Sequence, residues 1–359
     1  MIWLLLLLLL VAGIYLLRNR DDLAHLDRPV ALPEPRQPSP EYRDALREIA
    51  GLHQAGRGVR GRDRLQVLRN AMEEIGDRIT PECRMQPTGE GEPAGEWVIP
   101  EGVDSTRRLL YIHGGAWLAG SPRSHRPITD RIAWAANACV LALDYRLMPE
   151  HRYREGLSDC QNAYLWLLDN GPEGSAPASR LFLAGDSAGG SHALILQALV
   201  RDRGVRQPDA VIALGPATDM SFSSPSLRTN IPTDPLLGPS FGQLRRIPKP
   251  ILELLTGLLL RVRPRSPLAS PLRGQLSNLS PTLIQASSTE MLRDNALRYV
   301  NKARDAGSPA EVQLWHGMVH VWHIFAPDLP EAEEAFQAIA DFLERVETSR
   351  QEHNLTSQK

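Results

Sequence analysis

The stretch RLFLAGDSAGGSHALILQALV, residues 180 to 200, decides how the rest of the chain is read. Leu181 to Ala184 form a short apolar run of strand type, and from Ala188 onward Ala and Leu recur at helical spacing. Between the two, Gly185 and Gly189 bracket Ser187 in a G-x-S-x-G pattern. A serine on a sharp strand-to-helix turn projects its hydroxyl above the edge of a sheet. Flanking glycines let the backbone pack closely enough to make that turn, and the helix N-terminus behind it favours developing negative charge. Ser187 is therefore the candidate nucleophile; the plainer alternative is a small residue in a glycine-rich turn.

Working outward, the same rhythm recurs. RRLLYIHGG, ACVLALDYR, AVIALGP, PTLIQASS and AEVQLWHG are short apolar runs, mostly closed by Gly, Asp or Ser. Helical segments separate several of them, among them SDCQNAYLWLLDN and NALRYVNKARDAG, with EAEEAFQAIADFLERV last. This alternation predicts an α/β fold built on a mainly parallel sheet with helices on both faces. Residues 217 to about 280 interrupt it with a Pro/Ser-rich and helical insertion too long for a crossover, and residues 41–85 precede it with two amphipathic helices. Both are expected to form a cap over the carboxyl edge of the sheet. The α/β core would then span 86–346, followed by a frayed polar tail over 347–359.

A serine hydroxyl becomes a nucleophile only when an imidazole accepts its proton, and the imidazole needs a carboxylate to fix its tautomer. Such partners come from loops after later strands. The final strand leads to His316, His320 and His323; His316 falls at the strand end and His323 precedes apolar residues, so His320 is the candidate base. Two acids compete, Asp219 in GPATDM and Glu290 in SSTEMLRD, and spacing alone leaves both open. Asp294 fits better at the start of the next helix. Donors for an oxyanion are available in YIHGGAW, through Gly114, Gly115 and Ala116, and at Ala188 after the serine. Neither phosphate-loop pattern is present there.

Composition narrows the partners. Forty basic and 42 acidic residues give a net charge of −2, which excludes nucleic acid as an electrostatically steered partner. The three cysteines are too scattered for a disulfide framework or a metal site, so no metal is expected. The N-terminus is apolar and uncharged from Ile2 to Leu17. Basic residues before it and a small-x-small site after it are both missing, so residues 1–20 read as an uncleaved anchor rather than a signal peptide. Arg18, Arg20, Arg28 and Arg36 follow the run and tilt the body toward the cytoplasmic side. Five prolines within residues 21–40 predict a semi-rigid spacer lifting the body off the membrane. Leucine-rich KPILELLTGLLLRVRPR, flanked by Arg and Lys, reads either as an interfacial helix that gives the cap its own membrane contact or as a cap helix packed on the body.

Taken in order, HGGAW, DYRLMPEH (Asp144 to His151), GDSAGG and GMVHVW resemble the hormone-sensitive-lipase-like branch of the α/β-hydrolases, over about residues 105 to 345. The resemblance implies an α/β-hydrolase fold with an eight-stranded, mostly parallel sheet, a helical cap, a Ser/acid/His triad and no cofactor. Residue by residue, Ser187 matches the nucleophile, His320 the base, and Glu290 the acid position, with Glu where the family usually has Asp; Asp219 matches a structural aspartate. Ala116 stands where many members have a third glycine, and its N–H is expected to reach the site only with a negative φ. The implied activity is carboxylic ester hydrolysis through an acyl-enzyme, and the leucine-rich segment together with the N-terminal run points to short- to medium-chain or lipophilic acyl esters as small-molecule substrates. Amide hydrolysis by the same residues, or a non-catalytic small-molecule receptor on the same fold, are the alternatives.

Overall fold

The computed structural model describes residue 3, residues 22–28 and residues 30–357, the side chains of 244, 245 and 353–357 excepted. Eight strands form one sheet: β1 (Arg84–Pro87), β2 (Gly95–Ile99), β3 (Arg107–Ile112), β4 (Cys139–Leu143), β5 (Arg180–Asp186), β6 (Ala210–Leu214), β7 (Thr282–Ser287) and β8 (Ala310–Trp315). Their order is β1-β2-β4-β3-β5-β6-β7-β8. Every pairing from β4 across to β8 is parallel, whereas β1 pairs β2, and β2 pairs β4, antiparallel. The six runs quoted above are the six parallel strands. The β1–β2 edge was not legible because RMQP is only four residues long and half polar.

Central strands are apolar at nearly every position because both faces are covered. Leu110, Ile112, Leu141, Leu183, Val211 and Ile284 pack with α4 (Tyr153–Leu167), α5 (Ser187–Asp202) and α7 (Arg293–Asp305). Their neighbours one residue away, Leu109, Tyr111, Val140, Phe182, Ile212 and Leu283, pack with α1 (Tyr42–Ala55), α3 (Arg126–Ala135) and α8 (Pro330–Ser357). The two-residue period of a strand thus sorts one apolar run into two cores. Two further long helices are α2 (Gly61–Gly76), against the oxyanion side, and α6 (Lys249–Leu260), in the insertion between β6 and β7, which also holds the short helices Ser226–Thr229 and Leu237–Phe241. All three cysteines are buried and unpaired.

Several expectations change. The membrane location is corrected: among the described residues no helix is long and apolar enough to cross a membrane, and the apolar run on which the expectation rested lies outside the described residues apart from Trp3. The proline-rich segment does not stand off as a spacer; Arg28 pairs with Asp305, Arg36 with Glu334, and Ser39 donates from N and Oγ to Glu331. Within it too, Asp27 caps the buried guanidinium of Arg298 with two contacts of 2.7 Å. The C-terminal segment continues as helix to Ser357 instead of fraying after Val346. In α6, Leu252 and Leu260 are buried while Ile251, Leu254, Leu255, Leu258 and Leu259 face outward, so this helix is not packed on the body by its leucine face.

Candidate active site

Parallel strands bring their carboxyl ends to one edge, and the loops after β3, β5, β7 and β8 carry the candidate residues there. Ser187 opens α5 with a φ of 50°, a left-handed conformation costing a non-glycine residue about 1–2 kcal/mol. Close packing enforces it. A Cβ on Gly189 would lie 2.0 Å from Ile112 O, and one on Gly185 2.6 Å from the same oxygen. The two glycines around the serine are therefore required by the approach of β3, as the sequence pattern suggested.

His320 lies in the loop between β8 and a short 3-10 turn, Trp322–Phe325. Its Nε2 is 3.0 Å from Ser187 Oγ and its Nδ1 is 2.8 Å from Glu290 Oε2. With Nδ1–H donating to the carboxylate, Nε2 is free to accept the serine proton. Gly215 makes room for this pair, since a Cβ there would sit 2.8 Å from His320 Cε1 and 3.3 Å from Glu290 Oε2. Burial disfavours charge on His320, but the adjoining Glu290 carboxylate holds the imidazole above its ordinary pKa. Burial also raises Glu290, partly offset by His320. His113, His192 and His323, which bond no carboxylate, are pushed down by burial to about 3. His323 Nε2 donates to Gln285 Oε1 at 2.8 Å, and His316 stays at the end of β8, half-buried.

Asp219 is buried but engaged elsewhere. It accepts from Ser221 Oγ at 2.7 Å, Ser223 N at 3.2 Å and Arg273 Nε at 3.2 Å. Burial opposes its charge, yet the Ser223 and Ser221 bonds and Arg273 bring its pKa below the usual range. It is Glu290, therefore, that the fold brings to His320. Asp294 lies in the first turn of α7, where its Oδ2 accepts from Ser226 N at 2.7 Å.

The loop after β3 departs from expectation at two residues. Gly114 N donates to Asp186 Oδ1 at 2.8 Å, so its amide is committed and leaves the donor set. Ala116 has a φ of 57° and Trp117 a φ of 61°, both left-handed; the negative φ set as the condition for an Ala116 donor is not met, yet its amide stays uncommitted. Alanine tolerates that region at a cost of about 1–2 kcal/mol, and here its side chain faces solvent. Among the described residues the amides of Gly115, Ala116 and Ala188 have no protein acceptor. Asp186 was missed as a site residue although it sits inside GDSAGG. It also accepts from Tyr111 Oη at 2.7 Å and lies 3.5 Å from His125 Nε2, tying the loop to the serine turn.

Comparison with known proteins identifies the family. A family model described as alpha/beta hydrolase fold matches residues 109–324. An acetyl-hydrolase of Streptomyces hygroscopicus is 39% identical over 253 residues, covering 70% of this chain and 80% of its own. Among solved structures, an esterase from the bacterial hormone-sensitive lipase family is 33% identical with a TM-score of 0.73, over 86% of this chain and 99% of its own. A crystal of the protein EstE5 soaked with p-nitrophenyl butyrate is 30% identical with the same TM-score of 0.73, again over 86% and 99%. These matches account for nearly the whole of the solved proteins and give the expected membrane location no support. The chain belongs to the alpha/beta hydrolase fold family, in its hormone-sensitive-lipase branch, and is a carboxylic ester hydrolase.

Proposed function

We propose that Ser187, His320 and Glu290 form the catalytic triad of this esterase. The observation that carries the reading is the continuous chain from Ser187 Oγ through both ring nitrogens of His320 to Glu290 Oε2, at 3.0 and 2.8 Å. Ser187 Oγ attacks the ester carbonyl carbon while His320 Nε2 takes its proton. The imidazolium, stabilised by Glu290, then protonates the departing alkoxide, leaving an acyl-serine. Water enters, His320 takes its proton, and the acid leaves as Ser187 is regenerated. Gly115, Ala116 and Ala188 supply the amides for the oxyanion, each worth a few kcal/mol in the transition state.

The cap consists of α1, α2 and the insertion at about 217–280. In support, Arg69 of α2 donates to Leu118 O at 2.8 Å and Met148 O at 3.0 Å beside the oxyanion loop, and His53 of α1 donates to Pro235 O at 3.1 Å. The outward apolar face of α6 in that insertion supports short- to medium-chain, lipophilic acyl esters as substrates. The purified full chain should hydrolyse p-nitrophenyl butyrate, with Ser187→Ala reducing kcat by about 10⁴-fold or more. Equal rates for the two proteins overturn the triad. A series of p-nitrophenyl esters from two to twelve carbons should peak at short to medium length; a maximum at the longest chain overturns that substrate class.

A further inference from the structure

The turn that carries Glu290 has almost no regular structure of its own, and side-chain bonds to each of its carbonyls come from residues about sixty positions earlier. Asn230 Nδ2 donates to Glu290 O at 2.9 Å and to Ser288 O at 3.3 Å. Thr233 Oγ1 donates to Thr289 O at 3.0 Å, and Ser226 Oγ to Met291 O at 2.8 Å. Four successive carbonyls, 288 to 291, are thus held by side chains of the insertion. On the donor side, Met291 N bonds Asp234 Oδ2 at 2.8 Å. Asp234 Oδ1 accepts from Leu237 N at 2.8 Å and Leu236 N at 3.1 Å, so one buried carboxylate staples its own loop to the acid turn. Asn230 and Ser226 are buried as well, which excludes water as a substitute partner and makes each bond costly to lose.

From this arrangement we infer that Asn230 and Asp234 are positioning residues of the esterase, fixing the turn so that Glu290 meets His320 Nδ1. The inference rests on the triad reading. A glutamate has one more rotatable bond than the aspartate the family usually places here, so its carboxylate needs a more tightly held backbone to be aimed at an imidazole 2.8 Å away. The charged and titratable groups around the dyad are Glu290 on the turn, Asp234 on the insertion, Asp186 at the end of β5 and His323 after the base, with Tyr42 of α1 facing Asp234. Asp234 contributes negative charge that favours the imidazolium in addition to its two-sided hydrogen bonding.

The test uses the full chain carrying Asn230→Ala, Asp234→Asn or Glu290→Gln, and each of the first two combined with the third. Rates are normalised to sites titrated with a fluorophosphonate, so that unfolded protein is not counted. Asn230→Ala and Asp234→Asn should each lower kcat about 10- to 100-fold with KM nearly unchanged, and move the acid limb of the kcat/KM profile to lower pH. In the Glu290→Gln background Asn230→Ala should cost less than about twofold more, because it acts through a carboxylate no longer there, and Asp234→Asn should keep only the smaller share that comes from its own charge on His320. Full additivity, or a normal kcat and pH profile per titrated site, overturns the positioning role. A Glu290→Gln protein with unchanged kinetics overturns the triad reading instead. Should Asn230→Ala yield no titratable protein, Asp234→Asn, which keeps the side-chain shape, decides alone.

Discussion

The serine turn and the acid turn both follow a parallel strand at the same sheet edge, yet they are held in opposite ways. Around Ser187 the constraint is backbone against backbone: Gly185 and Gly189 press on Ile112 O, and nothing beyond β3 is needed to force the φ of 50°. Around Glu290 the constraint is side chain against backbone, supplied by Ser226, Asn230, Thr233 and Asp234. The first arrangement is stiff because close-packed backbone has nowhere to move; the second is only as rigid as the insertion that provides it. The largest effect should come from the stiff side. Gly189→Ala places a methyl carbon 2.0 Å from Ile112 O, against main chain rather than a yielding side chain. Activity on p-nitrophenyl butyrate should fall at least about 10³-fold, with a lower thermal unfolding midpoint. A Gly189→Ala protein retaining half its activity would mean that the elbow can relax and that the two turns differ less than the packing indicates.

On the acid side, Glu290→Gln removes the charge and keeps the shape. In the proposed triad His320 must be neutral to accept the serine proton, so activity should be lost as pH falls through its pKa. Glu290 holds that pKa above the ordinary imidazole value near 6.5, which puts the acid limb of kcat/KM above about pH 6.5. Without the carboxylate, burial is the leading influence and pushes the imidazole down, so the limb should move to lower pH. The plateau should drop about 10²- to 10⁴-fold as the tautomer and the imidazolium lose their support. An unmoved limb would show that another group sets the titration and would separate the Glu290 bond from the pH response.

This contrast also explains how much the sequence disclosed. Ser187 was legible because its strand, turn and helix are contiguous and its glycines are dictated locally. His320 was legible because only one loop follows the last strand. Choosing Glu290 over Asp219 required a family resemblance, since spacing says nothing about which carboxylate a distant imidazole meets. Asn230 and Asp234 carried no signal: they sit in a proline-rich segment that lacks periodicity, and their partners lie about sixty residues away. Gly114 misled for a related reason. A glycine in an H-G-G turn suggests a free amide, but Asp186, 72 residues later, claims it. Long-range side-chain-to-backbone bonds leave no pattern in a single chain, whereas strand and helix periodicity does.

The smallest expected change in activity tests the comparison from its other end. Asp219 follows β6 as Glu290 follows β7, and it too is buried and surrounded by hydroxyls. Its carboxylate is spent on Ser221, Ser223 and Arg273, while Asn295 Oδ1 takes the amides of Thr218 and Asp219 at 2.8 Å each. These bonds fasten the start of the insertion to α7. Asp219→Asn would leave Arg273 with Asp22 and Ser221 Oγ and turn an amide N–H₂ toward donors that need an acceptor. Stability should fall by about 1–3 kcal/mol, read from the urea midpoint for loss of activity, while kcat/KM of the folded protein should change less than about threefold. A loss of kcat matching that of Glu290→Gln would require Asp219 to reach His320 during turnover, and the proposed division between a structural acid after β6 and a catalytic acid after β7 would collapse.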